Sequence, residues 1–258
     1  MGTILDNYYT NTYGEDDRLF KDNKHKTEFI LTVDYIDKYL KKGMKILELG
    51  AGTGAYSLYY AKKGYEVDAL EPVEVNLNTL KSKVEKDMRI NPVLGNALDL
   101  SMYEDNTFDM VLCLGPMYHL EGRDRNRCLE EAIRVTKKGG LIYLAYISNN
   151  FTFVRCVNKF DNYVVEYKEE IKEGFRLEDS QKVFTFMYPQ QMEDMVNSYG
   201  LEKVNHLTTD GISSLIRDRI NSLPEKEFEV WLDYLRETAQ REDQLGYGEH
   251  LLYIARKN

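Results

Sequence analysis

Four short apolar runs, Lys45 to Leu49, Glu66 to Leu70, Pro92 to Leu94 and Phe108 to Leu114, follow one another with helical segments between them. Parallel strands can be joined only by crossovers of a dozen or more residues, usually helical, so this alternation predicts a mostly parallel sheet covered on both faces. A helix comes before the first run: Phe29, Val33, Ile36 and Leu40 share one helical face and Gly43 ends it. A further helix from about Arg123 to Thr136 leads through a turn at Lys137-Lys138-Gly139-Gly140 into a fifth strand, Leu141 to Ile147. Sixth and seventh strands are expected at Leu201 to Leu207 and Glu249 to Arg256.

At 258 residues the chain is long enough for one α/β domain, residues 1–258, to bury such a sheet between two helical layers. Residues 1–25 are rich in Tyr, Asn and Asp without a clean period and read as an irregular N-terminal arm, and 26–148 form the core. Segments 149–200 and 210–248 are insertions, and 249–258 carry the last strand. The first insertion ends in a helix after Pro189, and the second contains a helix opened by Pro224 with Phe228, Leu232, Leu235 and Ala239 on one face. Open α/β sheets bind ligands at the carboxyl ends of their strands, so the arm and insertions are the expected substrate cover.

Composition narrows the partners. With 34 Lys plus Arg against 43 Asp plus Glu, the net charge is -9, and a polyanion would meet a repulsive average field. No nucleic-acid partner is expected. Cys113, Cys128 and Cys156 lack CxxC or Cys/His ligand spacing, so neither a disulfide framework nor a metal site is indicated. No basic-then-apolar leader opens the sequence and no apolar run is long enough for a bilayer, so a cytoplasmic enzyme away from membranes is the expectation.

Glu48-Leu49-Gly50-Ala51-Gly52-Thr53-Gly54 closes a strand and opens a helix, where glycines admit a ligand to the backbone and the helix terminus offers free N–H groups. A purely structural tight turn is the alternative. Gly50-x-Gly52-x-x-Ala55 also fits a relaxed dinucleotide fingerprint, but a carboxylate at Glu48 would repel a pyrophosphate and suits a ligand with a cationic end. Glu71, about twenty residues on, stands where an acid accepts both hydroxyls of a ribose, and it is followed by Pro72.

These segments, together with Gly95-Asn96-Ala97-Leu98-Asp99-Leu100, Phe108 to Gly115, Arg134 to Gly140 and Glu249 to Lys257, resemble the successive motifs of class I S-adenosylmethionine-dependent methyltransferases. Leu114 to Leu120 is similar to the Leu-Gly-Pro-x-Tyr-His-Leu of a bacterial small-molecule subgroup. The resemblance implies an α/β fold with a Rossmann-like seven-stranded, mostly parallel sheet, an antiparallel last strand and helical insertions. It implies S-adenosylmethionine as cofactor, held by Glu48, Gly50, Ala51, Gly52, Gly54, Glu71 and Pro72. Asn96 would meet the adenine amino group, Ala97 and Leu98 would edge the ring, Leu114 and Gly115 would line the cofactor, and Tyr13 or Arg18 would fold over it.

The expected reaction is methyl transfer to an oxygen, nitrogen or carbon nucleophile of a small molecule. His119, at the carboxyl end of the fourth strand, is the first candidate for a general base, with a loop-holding histidine as the alternative. Tyr118 shapes the pocket, orients the methyl group or packs. His250 opens the antiparallel strand on the same face of the sheet and is the second candidate base. The rival readings are a non-catalytic S-adenosylmethionine-binding module, a nucleic-acid methyltransferase and an NAD-linked oxidoreductase.

Overall fold

The computed structural model describes residues 2–11, 14–166 and 168–258. Its parallel core consists of β1 Lys45–Leu49, β2 Glu66–Glu71, β3 Ile90–Leu94, β4 Phe108–Cys113 and β5 Thr136–Ser148. A two-residue hairpin, β6 Ile171–Lys172 with β7 Arg176–Leu177, and the short β8 Phe186–Met187 come next, before β9 Glu202–Thr208 and β10 His250–Arg256. The main sheet runs β3-β2-β1-β4-β5-β10-β9, and β10 is antiparallel to both neighbours, as the sequence predicts.

Helices α1 Gly2–Asn11 and α2 Asn23–Asp37 come before the sheet, while α3 Ala55–Lys62, α4 Glu74–Ser82 and α5 Gly122–Val135 cross between its strands. The later helices are α6 Asn149–Lys159, α7 Tyr163–Glu166, α8 Pro189–Ser198, α9 Arg217–Asn221, α10 Glu225–Thr238 and α11 Glu242–Leu245. Alternation along the strands sorts side chains to two cores. Leu47, Leu49, Val111 and Cys113 point toward α5 and α8, whereas Ile46, Met110 and Leu112 meet α2, α3 and α10. Phe228, Leu232, Leu235 and Ala239 are all buried in the second core, each large apolar side chain contributing roughly 1.5–3 kcal/mol of burial. Cys113 and Cys128 are buried thiols with sulfurs 3.8 Å apart. No helix among the described residues is long and apolar enough to cross a membrane.

Three expectations are corrected. Residues 2–11 are not irregular but form α1, and α2 begins at Asn23, where the Asp22 carboxylate caps it by accepting from the His25 N–H at 3.0 Å. Lys137-Lys138-Gly139-Gly140 is not a turn before the fifth strand but part of β5. There Gly139, at φ 75°, absorbs a register shift against β4 and donates to the Lys257 carbonyl at 2.7 Å. The first insertion returns to the sheet, because β8 pairs with Ile147 and Ser148 of β5 on the edge that β4 occupies lower down.

Gly54 is the N-cap of α3 at φ 91°, and a Cβ there would lie 2.8 Å from Leu80 Cγ. Gly54→Val combines left-handed backbone strain with overpacking, and urea unfolding should show a loss of about 2 kcal/mol or more. An unchanged midpoint would contradict this packing.

Candidate functional site

The carboxyl ends of β1, β2 and β4 surround one cleft. The loop after β1 is pinned to β2: Gly50 and Ala51 donate their N–H groups to the Leu70 carbonyl at 2.8 and 3.0 Å. Gly50 and Gly52 have φ of 71° and 57°, and a Cβ on Gly52 would meet Glu15 Cγ at 3.3 Å. The Glu71 carboxylate accepts from Gly52 N–H at 2.7 Å, Val73 N–H at 2.9 Å and the Asn76 amide at 3.4 Å. Burial still outweighs these donors and pushes Glu71 up to about 7. Glu48, on the β1 face turned to α3, is buried, accepts from the Ser57 hydroxyl and is raised by burial to about 8.

The cleft has two connected parts that share Glu15, Gly50, Gly52 and Tyr118. Toward β2 and β3 it is lined by Glu71, Pro72, Asn96 and Ala97, and toward β4 by Gly115, Pro116 and His119, with α1 supplying Leu5, Asp6 and Tyr9 as a cover. The second part holds Arg18, Glu48, Ala51, Tyr56 and Leu114. Three predicted residues stand aside: Gly54 faces Leu80, Leu98 packs on the core under α5, and His250 joins a charge network below the cleft. Tyr13 lies outside the described residues. The Asn96 side-chain oxygen accepts from Leu98 N–H at 3.0 Å, closing its own turn.

Glu15 and Leu5 were not singled out from the sequence. Glu15 sits across the cleft from the glycine loop and is tied to Arg18 Nε at 2.9 Å, and burial raises its pKa in spite of that arginine. Arg18 also grips Glu28 through two bonds of 2.7 and 3.0 Å, so the one arginine of the cleft is matched by two carboxylates. His250 lies at the end of this chain of charges, 3.5 Å from Glu28 and 3.0 Å from Asp210. Burial lowers its pKa, but Glu28, Asp210 and Glu249 together hold it above the usual histidine value. Asp210, Glu249 and His250 are close enough to share a metal ion, yet Glu249 is already bound by Lys24 at 2.9 Å, by Ser214 at 2.6 Å and by Arg155.

His119 is fixed at both nitrogens. Nδ1–H donates to the Val183 carbonyl at 2.8 Å, which leaves Nε2 to accept from the Tyr9 hydroxyl at 3.0 Å. Burial lowers its pKa to about 4, so it is neutral at physiological pH and a weak base. Its ring packs beside those of Tyr118 and Phe184, with centroids 4.8 and 5.2 Å away.

Residues 46–140 match the family described as "Methyltransferase domain". A demethylmenaquinone methyltransferase of Paenarthrobacter aurescens is 36% identical over 120 residues, which are 46% of this chain and 44% of that protein. A 23S rRNA (uracil-C5)-methyltransferase of Pyrococcus abyssi is 26% identical over 67% of this chain and 39% of its own length. The chain thus spans less than half the length of either relative. A solved structure from Pyrococcus horikoshii superposes with a TM-score of 0.61 at 16% identity, covering 97% of this chain and 98% of that one, a likeness of fold. Residues 46–140 are thus similar to a methyltransferase domain, carried on a Rossmann-like sheet. That similarity implies S-adenosylmethionine as the cofactor.

The cleft fits that cofactor: its lining is acidic, its single arginine is neutralised, and the glycine loop leaves open the space a Cβ would fill. Ribose hydroxyls donating to Glu71 would favour its ionised form, so that binding below the free-state value of about 7 would release a proton. Affinity for S-adenosylhomocysteine should therefore rise from about pH 6 to about pH 8, by up to ~10-fold per unit at its steepest, and Glu71→Gln should be weaker and flatter. A flat wild-type profile in calorimetry would remove Glu71 from the ligand. For His119 the folded value of about 4 lies below the ordinary 6.5, so the neutral form contributes stability present above pH 6.5 and lost as pH falls through 4. Relative to His119→Asn, the wild-type protein should lose stability across that window in urea titrations; parallel curves would show an unburied ring.

Proposed function

We propose that this chain transfers a methyl group from S-adenosylmethionine to a nucleophilic atom of a small molecule. The observation that carries this reading is the acidic cleft itself. Glu15, Glu48 and Glu71, all held above the usual carboxylate range, surround a glycine loop whose N–H groups are partly used by Glu71; a cationic nucleoside favours their ionised forms, and a pyrophosphate opposes them. Bound there, S-adenosylmethionine supplies an electrophilic methyl on a sulfonium.

The chain's own contribution is alignment and exclusion of water, and orientation of reactants can supply ~7–11 kcal/mol in well-oriented systems. Gly50, Ala51 and Gly52 bring backbone close to the amino-acid end, Glu71 holds the ribose, and Ala97 borders the base. Tyr118 and Gly115 form the wall at the end of β4, where the acceptor meets the methyl. His119 holds the Tyr9 hydroxyl beside the cleft, and its depressed pKa makes this positioning role a better fit than general base. An acceptor that arrives already deprotonated, or as a neutral amine, needs no base here.

The subgroup with Leu114 to Leu120 as its signature, a small-molecule acceptor and a cytoplasmic setting belong to the same proposal. Its support is the sequence motif and the net charge of -9, which disfavours a ribosomal RNA acceptor of the kind named for the Pyrococcus abyssi relative. S-adenosylmethionine and S-adenosylhomocysteine should raise the melting temperature, because each binds only the native state, and NAD and NADP should not. In Gly52→Val the shift should vanish, and the ligand-free melting temperature should also fall because valine is strained at the positive φ of this position. Stabilisation by NAD alone would sink the reading.

A further inference from the structure

Behind His119 lies a second cavity, about 1,060 Å3 of space partly open to solvent, and His119 is part of the lining of both it and the cleft. Three cations line it: Arg125 from the first turns of α5, Arg176 from β7 and Lys182 from the loop before β8. Among the described residues none of the three forms an ion pair, although 24 ion pairs occur elsewhere and the chain is acidic overall. Arg125 donates through one terminal nitrogen to the Thr185 hydroxyl at 2.7 Å, while its Nε–H is buried without an acceptor. Leaving a desolvated guanidinium N–H unpaired is costly, and an anionic ligand would offset that cost.

The acids in the same lining are largely engaged. Asp179 accepts from the N–H groups of Gln181, Val183 and Phe184 at 3.1, 3.0 and 2.9 Å, which builds the loop that presents Lys182 at φ 53°. Glu178 pairs with Lys172 at 3.6 Å, leaving Glu121 as the remaining carboxylate. Thr185 links this cavity to the cleft, because its hydroxyl lies 3.1 Å from the Leu120 carbonyl and its N–H donates to Tyr118 O at 2.8 Å.

We propose that this cavity binds a carboxylate or phosphate group of the methyl acceptor through Arg125, Arg176 and Lys182, so that the substrate is a small organic anion reaching past His119 toward the cleft. The assignment of that anion as acceptor rests on the methyltransferase reading, whereas the anion site itself does not. Charge-assisted bonds from a planar guanidinium favour a bidentate anion over a neutral hydroxyl, and two further cations reinforce the choice.

The test is calorimetry on the full chain saturated with S-adenosylhomocysteine, titrated with benzoate, phenyl phosphate, benzyl alcohol and benzylamine. Benzoate or phenyl phosphate should bind at least about 10-fold more tightly than benzyl alcohol, a difference of the size charged hydrogen bonds give. Arg176→Gln combined with Lys182→Gln, two exposed positions, should weaken that binding several-fold. Arg125→Gln should weaken it further, with circular dichroism to verify its fold. Anion binding that is unchanged in both variants, or benzyl alcohol or benzylamine binding as tightly as benzoate, overturns the proposal. S-adenosylhomocysteine binding is read in the same cell and should be unaltered by all three substitutions. Its absence in the wild-type protein would overturn the cofactor reading instead, and the anion titrations would then be read on the ligand-free chain.

Discussion

The cleft depends on the carboxyl end of β2, where three consecutive loop N–H groups are captured: the Leu70 carbonyl takes those of Gly50 and Ala51, and the Glu71 carboxylate takes that of Gly52. A turn with φ positive at Gly50 and Gly52 would otherwise leave these donors without partners in a buried place. The same acceptors fix how far β1 and β2 stand apart at the point where a ligand enters. Glu71 therefore has two duties, and its high pKa reflects both: it is buried to brace the loop, and it turns toward the cavity with capacity to accept more. Glu48 carries the same tension one strand away, buried against Ser57 and close to neutral.

Much of this was legible in the residues. Short apolar runs gave β1, β2, β4, β9 and β10 within a residue or two, because strands buried on both faces are continuous apolar segments bounded by turn residues. The apolar face of α10 was equally plain. The N-terminal helix escaped notice for a physical reason: Leu5 and Tyr9 face a cavity and Tyr8 meets Phe184, so none of them contributes to an apolar stripe packed on the sheet. The β5 start was hidden by its glycines, which read as a turn and serve as a bulge.

Within the site, residues carried by the backbone motif fell where the pattern puts them, while those fixed by long-range pairing did not. His250 shows the difference. Its place at the start of an antiparallel strand was readable, but Glu28 and Asp210, which hold its pKa up, lie far away in sequence. Glu15 likewise looked like one acid in a polar stretch until Arg18 and Gly52 came to face it. For His119, sequence left base and loop-holder open; its Val183 and Tyr9 partners come from segments that bear no recognisable motif.

The return of the first insertion to the sheet at β8 has an entropic consequence. Phe186 and Met187 are clamped beside Ile147 and Ser148, so the connection that carries α6, α7 and the β6–β7 hairpin is closed at a fixed point on the scaffold. Closing such a loop depends only on the logarithm of its length, with each doubling costing about 0.6 kcal/mol. Segments of this wall can therefore grow, shrink or be exchanged without disturbing the strand register that holds Gly50 and Glu71 in place. The chain keeps a rigid half that is expensive to alter and a tethered half that is thermodynamically cheap to rewrite.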